Sequence, residues 1–338
     1  MAPGGHGLFG VSAILAACVE GRRPGGGITN VETREDGNDD ALVAVFSNGE
    51  DLCAFPGALI VGYILKEKLG IVMVTTDKTS LDLKGGQLAL ARDQRPDGSM
   101  YDYVTIVEQA QAKESGQLEL FERLGLDIGE RPAVFNTNMA IFNYQVLIPK
   151  LRPLLQEMGL SRLLQIIAPD LIRNYKLQKD KDGVERQYLQ LEGAMGSVLL
   201  NLDKYWRYRY GEPLVYFINI EANQRTNFFS PIKSAFDFFM QFYSDRFTYD
   251  YKHKKLINHR PGALPIVHLQ DTFYREVRNV LRCFQGTKIL NLNSLHVEGV
   301  VNFSGVELSG DVKVINRSGR TVTLGLSLLK NRELIIDK

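Results

Sequence analysis

An α/β domain followed by a short parallel β-helix is the fold class this sequence predicts, and two patterns carry that expectation. Short apolar, β-branched runs alternate with longer runs at helical spacing over most of the chain, and a hexapeptide period takes over towards the C-terminus. At 338 residues, 44% hydrophobic and 23% charged, the chain is long enough for two domains, each with its own core. The character changes beyond Arg246, so the domains are expected over 1–246 and 247–338, with the coils starting near residue 289.

Forty basic and 39 acidic side chains nearly cancel, so nothing in the balance points to nucleic acid or an anionic membrane as partner. The run Tyr205-Trp206-Arg207-Tyr208 mixes aromatic and basic groups, but one short run without a basic domain does not change that. Cys18, Cys53 and Cys283 have neither metal-ligand spacing nor the even count of a disulfide framework, which fits a reducing, cytoplasmic setting. Residues 8–19 are apolar but too few to cross a bilayer, and they read as a buried helix.

Pro3-Gly4-Gly5-His6-Gly7 precedes that helix as a turn-forming run. Its backbone N–H groups can approach an anionic or planar ligand closely, with His6 as a donor; it equally fits a plain turn at the start of the chain. Residues 41–46 read as a buried strand, 47–51 as a polar loop and 53–68 as a helix. The adjacent acids Glu50 and Asp51 in that loop suit a divalent metal, or the capping of the helix that follows. A second strand spans 70–76, and Lys84-Gly85-Gly86 is a basic turn after it.

Residues 104–110 form another strand pattern, with Glu108 at the end of its apolar stretch. A buried acid there needs donors, which sugar hydroxyls or a structural arginine would supply. A helix over 118–124 leads to a short strand over 133–138, ending in Asn136-Thr137-Asn138. Two amides that both donate and accept suit vicinal hydroxyls, and asparagines also suit a turn. Residues 139–158 read as a helix broken near Pro149 and Pro153, followed by strands flanking Asp182-Gly183, a helix over 193–205 and a strand over 213–221.

Apolar residues at 232, 235, 236, 238 and 239 then recur at helical spacing behind Pro231, which places Lys233 in a first helical turn. Cations are disfavoured at that end of the macrodipole, so an anion drawn to both the lysine and the free N–H groups would resolve the conflict. A snorkelling surface lysine is the other reading. Residues 268–284 read as one more helix. Beyond it, Leu295 and Val301, Val297 and Phe303, Gly299 and Gly305, Val306 and Val312, and Leu308 and Val314 are each six apart, the spacing of parallel β-helix coils.

Taken together, the Pro-Gly-Gly-His-Gly opening, Asn48-Gly49-Glu50-Asp51-Leu52, Lys84-Gly85-Gly86, Val107-Glu108-Gln109-Ala110-Gln111, Phe135-Asn136-Thr137-Asn138, Pro231-Ile232-Lys233 and the C-terminal hexads resemble the UTP–glucose-1-phosphate uridylyltransferase family. They follow the family's order across nearly the whole chain. The resemblance implies a nucleotidyltransferase domain of the glycosyltransferase-A type, with a mixed, mostly parallel sheet, and then a short left-handed β-helix through which copies of the chain could assemble. It implies Gly5, His6 and Gly7 at the nucleotide, Asn48, Gly86, Glu108, Asn136 and Asn138 at the hexose, Glu50 or Asp51 at Mg²⁺, and Lys233 at the phosphates during transfer. The implied substrates are UTP and a hexose 1-phosphate, with glucose 1-phosphate first, and the implied products are a UDP-sugar and pyrophosphate.

Two departures qualify the expectation. Where the family usually has Asn-x-Asp-Asn-Leu, this chain has Asn48-Gly49-Glu50-Asp51-Leu52. The family's glycine-rich nucleotide loop also lies upstream of the Pro-Gly-Gly-His-Gly element, just before which this chain begins. The resemblance therefore implies an N-terminally truncated transferase with little turnover of its own, the alternative being a catalytically silent relative that binds nucleotide sugars or acts in assembly through its β-helix.

Overall fold

The computed structural model describes residues 5–18, 42–79, 82, 86–108, 112–113, 115–126, 133–179, 181–221, 224–253 and 255–337. The chain divides into two compact units. The first holds Met1–Ser47 and Ala58–Asn219, and the second holds Asn48–Gly57 and Ile220–Lys338. The division thus falls at Asn219 rather than at 246, and the Asn48 loop joins the second unit.

The first unit is built on a six-stranded sheet. Its strands are β1 (Val43–Phe46), β2 (Ile71–Asp77), β3 (Gly86–Gln94), β4 (Met100–Glu108), β5 (Val134–Asn143) and β8 (Val215–Ile220). Strand β5 is central: β2 lies along one edge, while β1 and β3 share the other. Met139, Ala140, Ile141 and Phe142 of β5 and Ile71–Val74 of β2 are buried on both faces, as a continuous apolar run requires. The expectation of a mostly parallel sheet is corrected here. β1, β2 and β3 all run antiparallel to β5, and β3 to β4. β2 and β8 run parallel, with the Ile71 amide donating to the Leu214 carbonyl (3.1 Å) and Thr75 Oγ1 to the Ile218 carbonyl (3.4 Å). A run of apolar residues reports burial on both faces but not strand direction, because crossovers and hairpins bury equally well.

Helices α1 (Gly5–Cys18), α4 (Tyr144–Ile166) and α5 (Met195–Tyr210) close the core of this unit through Ile14, Leu147, Leu151, Val198, Leu202 and Trp206. Each fully buried aliphatic side chain of this kind contributes roughly 2 kcal/mol. Short helices α2 (Ala58–Lys66) and α3 (Leu118–Arg123) and the hairpin β6 (Leu171–Lys179) with β7 (Glu185–Gly193) complete it. Several helix boundaries differ from expectation, and residues 139–143, expected to open a helix, instead continue strand β5. α1 begins at Gly5, so Gly5, His6 and Gly7 form its first turn, not a loop. α2 begins at Ala58, not Cys53. α4 passes through Pro149 and Pro153 and breaks at Gly159, whose φ of 77° only glycine takes readily.

One buried acid ties α5 to β8. Asp203 accepts the amides of Leu214 (2.7 Å) and Val215 (2.8 Å) and the Nε of Arg207 (2.6 Å).

The second unit packs α6 (Ala235–Tyr243), the hairpin β9 (Phe247–Asp250) with β10 (Lys255–Asn258) and α7 (Val277–Cys283) onto parallel coils. The helix expected over 268–284 is instead strand β11 (Ile266–Leu269), a 3₁₀ turn and the short α7. Strands β11, β12 (Leu292–Glu298), β14 (Glu307–Asn316) and β16 (Leu328–Ile336) pair in parallel, as do β13 (Val301–Asn302) and β15 (Val322–Thr323).

The apolar residues six apart in sequence are all buried, whereas Gly299 is half-buried and Gly305 exposed, and the apolar ones do not stack on one another. Leu295 lies beside Val312 and Val314 beside Leu334, close to three hexads away. The hexad marks one side of a coil, and the coil itself is the stacking unit. Gly299 and Gly305 both have φ of +73°, and a Cβ on Gly299 would lie 2.3 Å from the Asn316 carbonyl oxygen of the next coil. Phe236 and Phe239 of α6 meet Phe284, which stacks on Phe303, at centroid separations of 5.1, 5.4 and 5.0 Å. These rings close the core between α6 and the coils, and aromatic pairs in such geometry add to their area burial.

Candidate functional site

The structure sorts the predicted site residues into two clusters, one in each unit. In the first unit, Gly86 opens β3 directly opposite Glu108, the last residue of β4. A Cβ on Gly86 would lie 2.4 Å from Ile106 Cγ2 and 3.7 Å from Glu108 Oε1. A Cβ on Gly196, in the first turn of α5, would lie 2.3 Å from Ile106 Cδ1 and 3.1 Å from Asn136 Nδ2. Gly86, Ile106, Glu108, Asn136 and Gly196 therefore converge, and the two glycines keep side chains out of the space between the strand ends and the start of α5.

The Asn-Thr-Asn segment makes a bulge. The pairing of β2 with β5 shifts register between Val74 and Thr75, so that Val74 faces Met139 and Thr75 faces Asn136. Asn138 takes a left-handed φ of 65°, its amide donating to Asn136 Oδ1 at 3.1 Å, while Thr137 Oγ1 donates to the Val74 carbonyl at 2.7 Å. Bulges of this kind re-aim side chains at sheet ends. At the end of β2, Thr75 Oγ1 donates to Asn219 Oδ1 (3.0 Å) and Asn219 Nδ2 to Asp77 Oδ1 (3.1 Å). Gly196 and Asn219 were not singled out in the sequence. The glycine in the first helical turn after Gly193-Ala194-Met195 was the one available signal.

Burial raises the pKa of Glu108 above its usual 4.5, and the nearby Asp170 and Glu192 raise it further. Folding therefore moves this group towards its protonated form. The stabilisation from this group is complete below about pH 4.5 and is lost as pH rises through the raised pKa. Glu108→Gln, which mimics the neutral form, is expected to raise the melting temperature by about 2 °C or more at pH 7 and to leave it unchanged at pH 4, as a thermal melt series across that range would read.

Gly5, His6 and Gly7, expected at the nucleotide, sit at the start of α1, also in the first unit. The side chain of His6 lies outside the described residues, as do Lys84, Gly85, Gln109, Ala110 and Gln111. Gly7 is packed against the chain leading into α5. A Cβ there would come within 2.8 Å of the Gly193 carbonyl carbon and 2.9 Å of Pro169.

The second unit brings together the two segments 48–57 and 228–233. The Ile232 amide donates to the Glu50 carbonyl at 2.9 Å, and Asp51 forms an antiparallel bridge with Pro231. Asp51 is 6% exposed, and its Oδ1 accepts the amides of Cys53 (3.1 Å) and Ser230 (2.8 Å). Burial raises its pKa; the two amides oppose this, and Glu50 and Lys233 contribute in opposite directions. Glu50 points to solvent instead, where Lys233 Nζ pairs with Glu50 Oε1. The predicted metal acid and the predicted catalytic cation therefore form an ion pair across 183 residues of sequence. Asn48 lies on the same segment, and its carbonyl accepts the Asp51 amide at 3.1 Å.

The placement of Lys233 in a first helical turn is corrected. α6 begins at Ala235, and Ser234 is its N-cap. Asp237 Oδ2 accepts the Lys233 amide (2.9 Å), the Ser234 amide (2.7 Å) and Ser234 Oγ, while the Asp237 amide donates back to Ser234 Oγ (3.1 Å). The anion expected at this helix end is the protein's own Asp237, in a capping box that Ser-x-x-Asp could have signalled. Lys233 lies outside the helix and borders a cavity of about 810 Å³, whose lining residues include His268, Arg275 and His296 but no carboxylate.

Among the described residues no cluster of three or more His, Cys, Asp or Glu side chains could hold a metal ion by itself. Mg²⁺ commonly takes one or two carboxylates and completes its shell with phosphates and water. Glu50 fits the place of a single carboxylate ligand in such a complex. Asp51, with both amides on its Oδ1, is less available. Nor, among the described residues, is any helix long and apolar enough to cross a membrane.

A family model described as UTP–glucose-1-phosphate uridylyltransferase matches residues 38–308. Proteins of that name from Solanum tuberosum and Saccharomyces cerevisiae are 29% and 26% identical over 309 and 317 residues, covering 88% and 91% of this chain but 54% and 55% of their own lengths. The chain thus spans about half the length of the curated relatives it matches. Among solved structures, the UDP-glucose pyrophosphorylase of Leishmania major superposes with a TM-score of 0.63 at 23% identity, over 87% of this chain and 57% of that one. A UDP-glucose phosphorylase from Trypanosoma brucei superposes with a TM-score of 0.62 at 22% identity, over 87% and 56%. At such identities the structural likeness speaks for the fold.

Proposed function

The chain belongs to the UTP–glucose-1-phosphate uridylyltransferase family, and from that premise we propose that it serves uridylyl transfer from UTP to a hexose 1-phosphate, glucose 1-phosphate first, yielding a UDP-sugar and pyrophosphate. The observation that carries this reading is the meeting of Glu50 and Lys233, two distant motif residues, in one site of the second unit.

The reaction is attack by a sugar phosphate oxygen on the α-phosphorus of UTP. It demands charge neutralisation and in-line placement rather than a covalent nucleophile. Lys233 supplies a cation on a flexible stem for the phosphates, beside a cavity whose remaining polar groups are basic or neutral. Glu50 would hold Mg²⁺, which would supply charge to offset that of the phosphates. Glu108 and Asn136, with the left-handed Asn138, supply the acceptors and donors that sugar hydroxyls need, and Gly86 and Gly196 leave the room. The start of α1, at Gly5, His6 and Gly7, faces the nucleotide.

The coils of the second unit are left-handed, and β16 serves as a surface for homo-oligomers. Among the described residues it pairs on one side only, with Leu328 and Ile335 exposed. The compartment is the cytoplasm, with three buried free thiols in keeping.

Titration calorimetry of this chain with UDP-glucose tests the reading. Binding is expected to weaken at least about tenfold in Asn136→Ala or Glu108→Ala, the loss of one or two hydrogen bonds to the ligand. A coupled assay for pyrophosphate release from UTP, glucose 1-phosphate and Mg²⁺ tests turnover. Absence of UDP-glucose binding, or binding indifferent to both substitutions, would overturn the assignment.

A further inference from the structure

The geometry points to Asp51 as a positioning residue: from within the protein it locks segment 48–57 to segment 228–233 and so presents Glu50 and Lys233 to each other and to a phosphate ligand. The functional half of this inference rests on the reading above; the structural half does not.

Four contacts make the lock. Asp51 Oδ1 takes the amides of Cys53 and Ser230, one from each segment, at 3.1 and 2.8 Å. The Ile232 amide donates to the Glu50 carbonyl at 2.9 Å, and Asp51 bridges Pro231. Cys53, two residues on, is 1% exposed and belongs to the same core cluster as Ala235 and Phe236, so both segments are anchored on one apolar body. Glu50 and Lys233 by contrast have side chains 41% and 62% exposed, and so exposed a pair does not hold two loops together by itself. Ser230 adds an independent sign of constraint. Its hydroxyl oxygen is buried without a hydrogen-bond partner while its amide is spent on Asp51, an arrangement a freely relaxing loop would avoid. The carboxylate is thus a buried polar group that addresses both segments at once, and the side chains beside it at the surface, Glu50 and Lys233, are the two that chemistry would use.

Amide hydrogen exchange and the ¹³C-dimethyl-lysine NMR signal of Lys233 test this without any nucleotide. Asp51→Ala is expected to accelerate exchange at Cys53 and Ser230 at least about tenfold and to move the Lys233 signal to its position in Glu50→Gln, where the pair is weakened but the lock is intact. Asp51→Asn keeps an Oδ1 acceptor and is expected to restore both readouts to within about twofold of the parent chain. A residue that merely stabilised the unit would lower its melting temperature without moving the Lys233 signal selectively. Should Asp51→Ala not fold, the unmodified chain decides: Cys53, Ser230 and Ile232 amides are expected to open together, and unrelated opening rates would overturn the lock. An unmoved Lys233 signal in Asp51→Ala, or no rescue by Asp51→Asn, would also overturn it. Titration with MgUTP then reports separately on the transferase reading, since a failure to bind leaves the exchange and lysine results untouched.

Discussion

Lys233→Ala is expected to lower the rate of uridylyl transfer about 100- to 1000-fold, or roughly 3–4 kcal/mol of transition-state stabilisation, while leaving the melting temperature almost unchanged. The two halves of that expectation have separate causes. In the proposed reaction a cation beside the phosphates acts on charge that develops during transfer, where a fixed partner is worth most. In the resting protein the same amine pairs with Glu50 at the surface, with side chains 62% and 41% exposed, and such pairs contribute under about 1 kcal/mol. Single-turnover kinetics beside a thermal melt would separate the effects. A variant that kept full activity would remove Lys233 from the chemistry, and one that unfolded would show that the lysine is structural.

Asp203→Ala is expected to have the largest effect on stability, roughly 3–5 kcal/mol, or a fall in melting temperature on the order of 10 °C for the first unit. Asp203 is fully buried and receives three donors: the Leu214 and Val215 amides at the start of β8, and Arg207 one turn along α5. Alanine strands all three, two of them amides that no water reaches. Asp203→Asn keeps an acceptor for the two amides and forfeits mainly the pairing with Arg207, so it is expected to recover more than half of the loss. Equal melting temperatures for the two variants would mean that the ion pair, not the amides, carries the effect.

Much of the architecture was legible because its signals are local. The strand over 70–76, the hairpin around Asp182-Gly183 and the strand over 213–221 all lie where apolar patterning put them. The apolar members of the hexads marked buried side chains of the coils correctly, since alternation along a strand decides which side chains point in. Local signals failed where a long-range contact overrode them. Residues 268–284 have helical periodicity, yet Ile266–Leu269 extends because β12 offers it a parallel partner. Lys233 was placed inside a helix because Pro231 favours a first turn, whereas Pro231 is engaged by Asp51 and the helix waits for Ser234.

The sugar-side residues divide in the same way. Glu108 is visible in the sequence as an acid closing an apolar strand and Asn136 as one of two neighbouring amides, although β5 runs on past it to Asn143. That Gly86, Gly196 and Ile106 shape the space around them is not visible there, because the three come from separate elements that meet only in the folded sheet.

The amino-acid sequence alone determined the family, most of the elements with their order, and the apolar side chains that fill the coils, since each depends on residue type and on spacings of two to six positions. Only the tertiary structure decided that the sheet is largely antiparallel, that Asp51 turns inward while Glu50 turns out, and that Glu50 finds Lys233 across 183 residues. Those outcomes depend on which distant segments compete for the same buried hydrogen bonds, and no local pattern records the winner.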